Sequence, residues 1–168
     1  GKLDLDTPTR DILPGLKHHP AGAATIAQLL THSAGLPAWL PFYKWVADRD
    51  RREPGFLGSR AAQEAVVGYL AGQSPAYPVG AESRYSDLGF MLLGLVIEAC
   101  AATPLDEYCH SRLFAPMGAR PMGFRRIPDG GVPDGAAATD VGVIAPTEQD
   151  PWRGRLLRGE VHDENAYA

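Results

Sequence analysis

The chain has 168 residues, 45% of them hydrophobic, and its 16 basic and 20 acidic side chains leave a net charge of −4. That size and apolar content suit one domain with a buried core and exclude disorder of the whole chain. Apart from Arg49, Arg51 and Arg52 the basic residues are scattered, so nucleic acid is not an expected partner. No apolar run reaches the ~20 residues that cross a bilayer, and the longest, Leu88 to Ile97, is half that. No charged-then-apolar signal segment opens the chain, whose Gly1-Lys2-Leu3 start reads like the inside of a longer protein, and the compartment stays open.

The first twenty residues predict a short extended piece and one turn of helix. His18-His19-Pro20 admits a metal reading, but neighbouring side chains on an extended backbone rarely chelate one ion, so a solvated loop is expected. Thr25-Ile26-Ala27-Gln28 is a capping box opening a helix whose stripe is Ile26, Leu29 and Leu30, with Gly35 and Pro37 as its stop. His32 falls in the last turn, where an imidazole can bond free carbonyls, a structural role rather than a catalytic one. From Trp39 to Val46 the chain is at its most aromatic, with Pro41 suited to a first helical position; these rings line an apolar cleft or form a satellite core. The charged run Asp48 to Glu53 reads as a solvated helix end.

Ser59 is expected to cap a helix with Ala62, Ala65, Val66, Tyr69 and Leu70 inward and Gly72 as its stop. Pro78, Gly80 and the polar run to Arg84 then bring the chain in as an extended loop to Tyr85-Ser86-Asp87, where Ser86 or Asp87 can cap the next helix. From Leu88 to Ala101 both faces are apolar, which predicts a helix buried on all sides, with Gly89 and Gly94 marking close approach of another element. Tyr85, just ahead of that helix, can do acid/base work or is an ordinary loop tyrosine; on chemistry alone the second is the simpler reading. With no lysine near it in sequence, Tyr85 is expected to titrate as an ordinary phenol.

Thr103-Pro104-Leu105-Asp106 starts a further helix with Leu105, Tyr108, Cys109, Leu113 and Phe114 inward. From Gly118 to Pro151 no helical period appears, which predicts a long irregular segment with a brief strand at Val141 to Ala145. The expected organisation is a helical region over 1–118 and an irregular Gly/Pro-rich segment over 119–168. Cys100 and Cys109 are too few and too far from paired histidines for a zinc site; whether they pair is left to geometry. Neither a metal nor a cofactor is expected.

Four ordered segments carry a resemblance. Leu29-Leu30-Thr31-His32-Ser33-Ala34-Gly35-Leu36-Pro37 resembles the "LLTHTSGLP" segment of the serine β-lactamase and penicillin-binding-protein family, in its class C and esterase-like branch. The run Tyr77-Pro78-Val79-Gly80 through Tyr85-Ser86-Asp87-Leu88-Gly89-Phe90-Met91-Leu92-Leu93-Gly94 resembles "PGxxxxYSNxGYxLLG" of that branch, Thr103 to Tyr108 and then Leu113-Phe114-Ala115-Pro116-Met117-Gly118 its following helix and "PLGM" turn, and Gly159 to Ala166 the "GxVHDxNA" tail of its relatives.

The resemblance implies the mainly α, helical region of the β-lactamase/DD-peptidase-like α/β fold. Tyr85 would be the tyrosine that assists proton transfer at a serine nucleophile, and Asp87 stands where the family usually has Asn. Trp39 would lie at the cleft edge beside the acyl side of a substrate. The substrate implied is a small acyl compound: a β-lactam, a D-alanyl peptide or a small ester. The only lysines are Lys2, Lys17 and Lys44, none of them three residues after a serine, so Ser-x-x-Lys is absent, as are the later Lys/His-x-Gly strand and a Gly-x-Ser-x-Gly elbow. The chain by itself is therefore expected to be inactive, with the missing sheet of the same protein as its partner; the alternative is a non-catalytic binding or structural module.

Overall fold

A computed structural model describes residues 3–118 and 145–168. Its elements run α1 (Thr9–Ile12), α2 (Ile26–Leu30), α3 (Phe42–Asp50), α4 (Arg60–Ala71), α5 (Asp87–Ala101), α6 (Leu105–Cys109), β1 (Pro146–Asp150), β2 (Arg155–Arg158) and α7 (Glu164–Tyr167). Two 3-10 turns, Pro14–Leu16 and Pro20–Ala23, lie between α1 and α2, and α6 continues into a π-helical turn over His110–Phe114.

The N-terminal stretch is pinned to the entry of α2. Buried Thr9 donates its backbone N–H and its hydroxyl to the Ala24 carbonyl, at 2.8 and 2.7 Å. Gly22 is obligatory beneath this turn, since a Cβ there would stand 2.1 Å from the Leu16 carbonyl oxygen. His19 is buried, contrary to the expected solvated loop: its Nδ1 accepts from Ala21 N–H at 3.1 Å and its Nε2 reaches the Gln73 carbonyl at 2.9 Å. The ring thus ties the first turns to the end of α4, while His18 stays exposed.

α2 opens with both halves of its capping box formed, and Ser59 caps α4 through Ala62 N–H, both as their sequences require. Ile26 and Leu29 are buried, but Leu30 is 46% exposed and lies outside the stripe. The core gathers Leu16, Ile26, Leu29, Val46, Leu70, Leu88, Leu92 and Val96, so α5 is the central element. One face of α5 packs against α2, and a Cβ on Gly89 would meet the Leu29 carbonyl at an ordinary 3.6 Å.

α5 is not buried on all sides. Phe90 is 52% exposed and Met91 and Leu95 are half-buried, because α2 covers one side and α4 and α7 stand off the other. Between them lies an open trough of about 540 Å³ whose walls include Phe42, Ala62, Val66, Phe90, Leu95 and Tyr167. At its far end Ala102 closes α5 in a left-handed conformation (φ 51°), and the next helical stretch departs at 75°. That arm, α6 with its π-helical turn, buries no residue completely; Leu113 is 48% exposed, so the expected inward stripe is only half covered.

The described part of the C-terminal segment, 145–168, is not irregular. β1 and β2 form an antiparallel hairpin with Gln149 opposite Leu156 and Asp150 opposite Arg155. Inside its turn the fully buried Asp150 carboxylate accepts from Trp152 and Arg153 N–H at 2.6 and 2.9 Å and pairs with the Arg153 guanidinium. Arg153 also donates to the Val161 and His162 carbonyls at 2.8 and 2.7 Å, which fastens the hairpin to the approach of α7. Of the strand expected at Val141 to Ala145, residues 141–144 lie outside the described residues; the strand seen begins at Pro146.

Candidate active site

Two loops clasp each other in front of α5. The segment 31–38 leaves α2, and 76–87 leads into α5. Ala76 N–H donates to the Gly35 carbonyl at 2.9 Å, Gly80 N–H to Ser33 at 2.8 Å, Arg84 N–H to His32 at 2.9 Å and Asp87 N–H to Ala38 at 3.0 Å. Side chains add the Tyr77 hydroxyl to the His32 carbonyl at 2.8 Å and the Ser83 hydroxyl to the Thr31 carbonyl at 2.7 Å. The approach is close: a Cβ at Gly35, whose φ is 75°, would fall 2.5 Å from the Tyr77 carbonyl oxygen. Only glycine meets both demands.

Ser86 sits at the N-cap of α5 but does not cap it. Its hydroxyl donates to the Pro37 carbonyl at 2.6 Å instead, so the side chain expected to serve the helix serves the clasp. Tyr85 is consequently held at the helix mouth with 70% of its surface exposed. The Asp87 carboxylate two residues on raises its phenol above the ordinary tyrosine value, first as a hydrogen-bond acceptor for the protonated form and then through its charge, with burial and the Asp163 charge adding to it. The expectation of ordinary titration is thus corrected. A carboxylate acceptor stabilises the protonated phenol, and sequence distance to the nearest lysine does not register it.

Trp39 stands one residue beyond Ala38, whose carbonyl receives the Asp87 N–H, and is 43% exposed. Its ring begins a ladder of aromatic contacts, to Tyr43 (6.3 Å between centroids), then from Tyr43 to Trp152 (4.8 Å) and from Trp152 to Tyr167 (5.9 Å). Tyr85, Asp87 and Trp39 are the residues the sequence proposes for the site; what the C-terminal segment brings has no counterpart among them. Asp163 caps α7 by accepting Ala166 N–H at 2.7 Å and is near enough for its charge to act on Tyr85. Asn165, buried, accepts Tyr43 N–H at 3.1 Å and donates to the Leu40 carbonyl at 2.8 Å. The tail motif carries both residues, but its position against α3 has no local signal.

The trough beside α5 is not lined by Tyr85, Asp87 or Trp39. Two of its polar side chains are already engaged: Glu98 pairs with Arg60 and accepts Leu105 N–H at 2.9 Å, and Asn165 bonds α3. Among the described residues no cluster of three or more His, Cys, Asp or Glu could hold a metal ion, both cysteines are free thiols, and no single helix is long and apolar enough to cross a membrane.

The model of the Beta-lactamase family matches this chain over residues 1–161. The chain belongs to that family. It is 32% identical to the "N-acetylmuramyl-L-alanine amidase" of Bacillus subtilis over 99% of its own length and 38% of that protein. It is 30% identical to a "Putative D-alanyl-D-alanine carboxypeptidase" of Salmonella typhimurium, again over 99% of its length and 39% of the relative. Among solved structures, the octameric penicillin-binding protein homologue from Pyrococcus abyssi superposes with a TM-score of 0.56 at 23% identity, covering 93% of this chain and 33% of that one. The D-stereospecific amidohydrolase from Streptomyces does so with a TM-score of 0.54 at 26% identity, covering 80% and 41%. The chain therefore spans about two fifths of the length of the curated relatives it matches.

Proposed function

We propose that this chain is the helical region and one cleft wall of a serine acyl hydrolase, in which Tyr85 moves the proton to and from a serine nucleophile during formation and hydrolysis of an acyl-enzyme. The exposed Tyr85 phenol at the mouth of α5, raised by the Asp87 carboxylate two residues on, is the observation that carries the reading. Asp87 orients the phenol, and Trp39 flanks the acyl group of the substrate. A β-lactam, a D-alanyl peptide or a small ester fits this chemistry. The Ser-x-x-Lys nucleophile, the Lys/His-x-Gly strand and the sheet that carries it come from other parts of the same polypeptide, in keeping with the two-fifths share of relatives that the chain spans. A lysine brought beside the phenol would oppose the Asp87 effect and draw the pKa down into a useful range.

The test is Tyr85→Phe in the longer polypeptide that supplies those elements. Removing one general acid/base group is expected to lower acyl transfer on the order of 10²–10⁴-fold, with helix content unchanged. A loss of less than about threefold ends the case for Tyr85.

The second reading, a binding or structural module that keeps the fold without chemistry, is favoured by one observation: Asp87 replaces the family's Asn and raises the phenol. Restoring Asn by Asp87→Asn separates the two, since a spent site gains no turnover from it.

A further inference from the structure

His32 ends α2 in a left-handed conformation, φ 56°, in a position that glycine or asparagine fills at far lower strain. Among the described residues it shares a positive φ with only one other non-glycine residue, Ala102. The backbone therefore carries a cost for having an imidazole at this place, and what the ring touches says why. Its Nδ1 accepts the Ser86 N–H at 3.2 Å, which in the neutral ring leaves the proton on Nε2. Its ring is tilted against that of Tyr85, with centroids 4.8 Å apart, and stacked with that of Phe90, at 5.1 Å. Its carbonyl meanwhile receives the Tyr77 hydroxyl and the Arg84 N–H.

The sequence reading expected this imidazole to bond the free carbonyls at the end of its own helix. Left-handed geometry turns it the other way, toward the neighbouring loop, and it accepts there rather than donates. Ser86 N–H is the amide immediately after Tyr85, so the ring fixes both the peptide that follows the tyrosine and the tyrosine's own ring. Among the described residues no other side chain bonds this amide: the Ser86 hydroxyl is committed to Pro37.

We propose that His32 is a positioning residue for Tyr85: through Nδ1 on the Ser86 amide and through its ring it holds the Tyr85 side chain at the mouth of α5. The catalytic meaning of this hold rests on the acyl-hydrolase reading, but the hold itself belongs to the chain and is measurable without turnover.

The experiment follows the Tyr85 phenol by NMR in the 168-residue chain with tyrosine labelled at Cζ, the resonance being assigned by its loss in Tyr85→Phe. Three variants are compared. His32→Gly keeps the left-handed backbone and removes ring and acceptor. His32→Asn keeps the backbone and an oxygen close to the Nδ1 position. Thr25→Ala breaks the capping box of α2 without touching the clasp. The wild-type Tyr85 is expected to titrate above a free phenol and His32→Gly to return it toward the free value and to erase its ring-current shift. His32→Asn should lie between the two, and Thr25→Ala should lower thermal stability while leaving the Tyr85 titration in place. The proposal is overturned if His32→Gly leaves Tyr85 unmoved, if Asn restores nothing that Gly removes, or if Thr25→Ala moves Tyr85 as far as His32→Gly does. Should the glycine variant lose its folded circular-dichroism signal, the asparagine variant alone decides. Each of these outcomes concerns the hold only, since the acyl-hydrolase reading stands or falls on the rate of Tyr85→Phe.

Discussion

α3 begins after Pro41, whose side chain has nothing with which to cap, and the free N–H of Tyr43 is answered by Asn165 from 122 residues away. Asn165→Ala isolates that dependence. It deletes the 3.1 Å acceptor for the buried Tyr43 N–H and the 2.8 Å donor to the half-buried Leu40 carbonyl. The Leu40 carbonyl keeps a second partner in Phe42 N–H at 2.9 Å, so its loss is one net hydrogen bond, roughly 0.5–1.5 kcal/mol. Tyr43 N–H is left buried and unpaired, which costs about 1–3 kcal/mol. The expected destabilisation is therefore about 2–4 kcal/mol, or roughly 5–15 °C in Tm for a chain of this size. Urea unfolding followed by circular dichroism at 222 nm, with m unchanged, is the measurement. Asn165→Asp keeps the acceptor but turns a second oxygen on the Leu40 carbonyl, and should do no better. A loss below about 0.5 kcal/mol in the alanine variant would refute the claim that α3 is capped from the C-terminal segment.

Asp150→Asn tests the hairpin turn. Burial alone would raise this carboxyl, but the Arg153 N–H and guanidinium and the Trp152 N–H outweigh it and hold the pKa below the usual carboxylate range. A depressed value means its stabilisation is complete above the unfolded carboxylate value near ~3.9 and is lost as pH falls through the lower folded value. The asparagine variant should lose roughly 3 kcal/mol at pH 7 and show a shallower acid limb; an acid limb identical to wild type contradicts the assignment. Gly68, in the exposed face of α4 with nothing near its missing Cβ, should gain about 0.5–1 kcal/mol on Gly68→Ala, whereas Gly22→Ala, which meets a carbonyl oxygen at 2.1 Å, should destabilise severely; equal urea midpoints would contradict both. The 168-residue chain alone is expected to hydrolyse neither a chromogenic β-lactam nor p-nitrophenyl acetate above a buffer blank, and serine-dependent turnover abolished by an acylating inhibitor would overturn that.

Local signals were legible and distant ones were not. The capping box at Thr25, the Ser59 cap and the central rank of α5 follow from rules that span three or four residues, and each is present. Ser86 obeys the same cap rule by type but is drawn to Pro37, because a loop 49 residues away runs alongside it. Phe90 continues the periodicity of α5, yet periodicity reports which residues are apolar and not how many neighbours exist to cover them. His32 could have been suspected from its place between a helix end and Gly35, but the sign of its φ decides which way the ring turns. Asp163 and Asn165 depend on a hairpin whose turn is set by a buried Asp150–Arg153 pair, and in sequence that pair looks like two more surface charges.

The bond between Gly35 and Ala76 gives the scaffold a particular modularity. Residues 36–75 leave the clasp and return to it at the same point, carrying α3 and α4 as a closed excursion whose outer bend, around residues 51–58, is mostly exposed. Gly55 and Gly58 take positive φ there with nothing near the missing Cβ atoms. Closing a longer loop costs only about 0.6 kcal/mol per doubling of its length. New chain spliced into that bend would lengthen an exposed loop outside the clasp, so the scaffold can take insertions there while Tyr85 and Asp87 stay where they are.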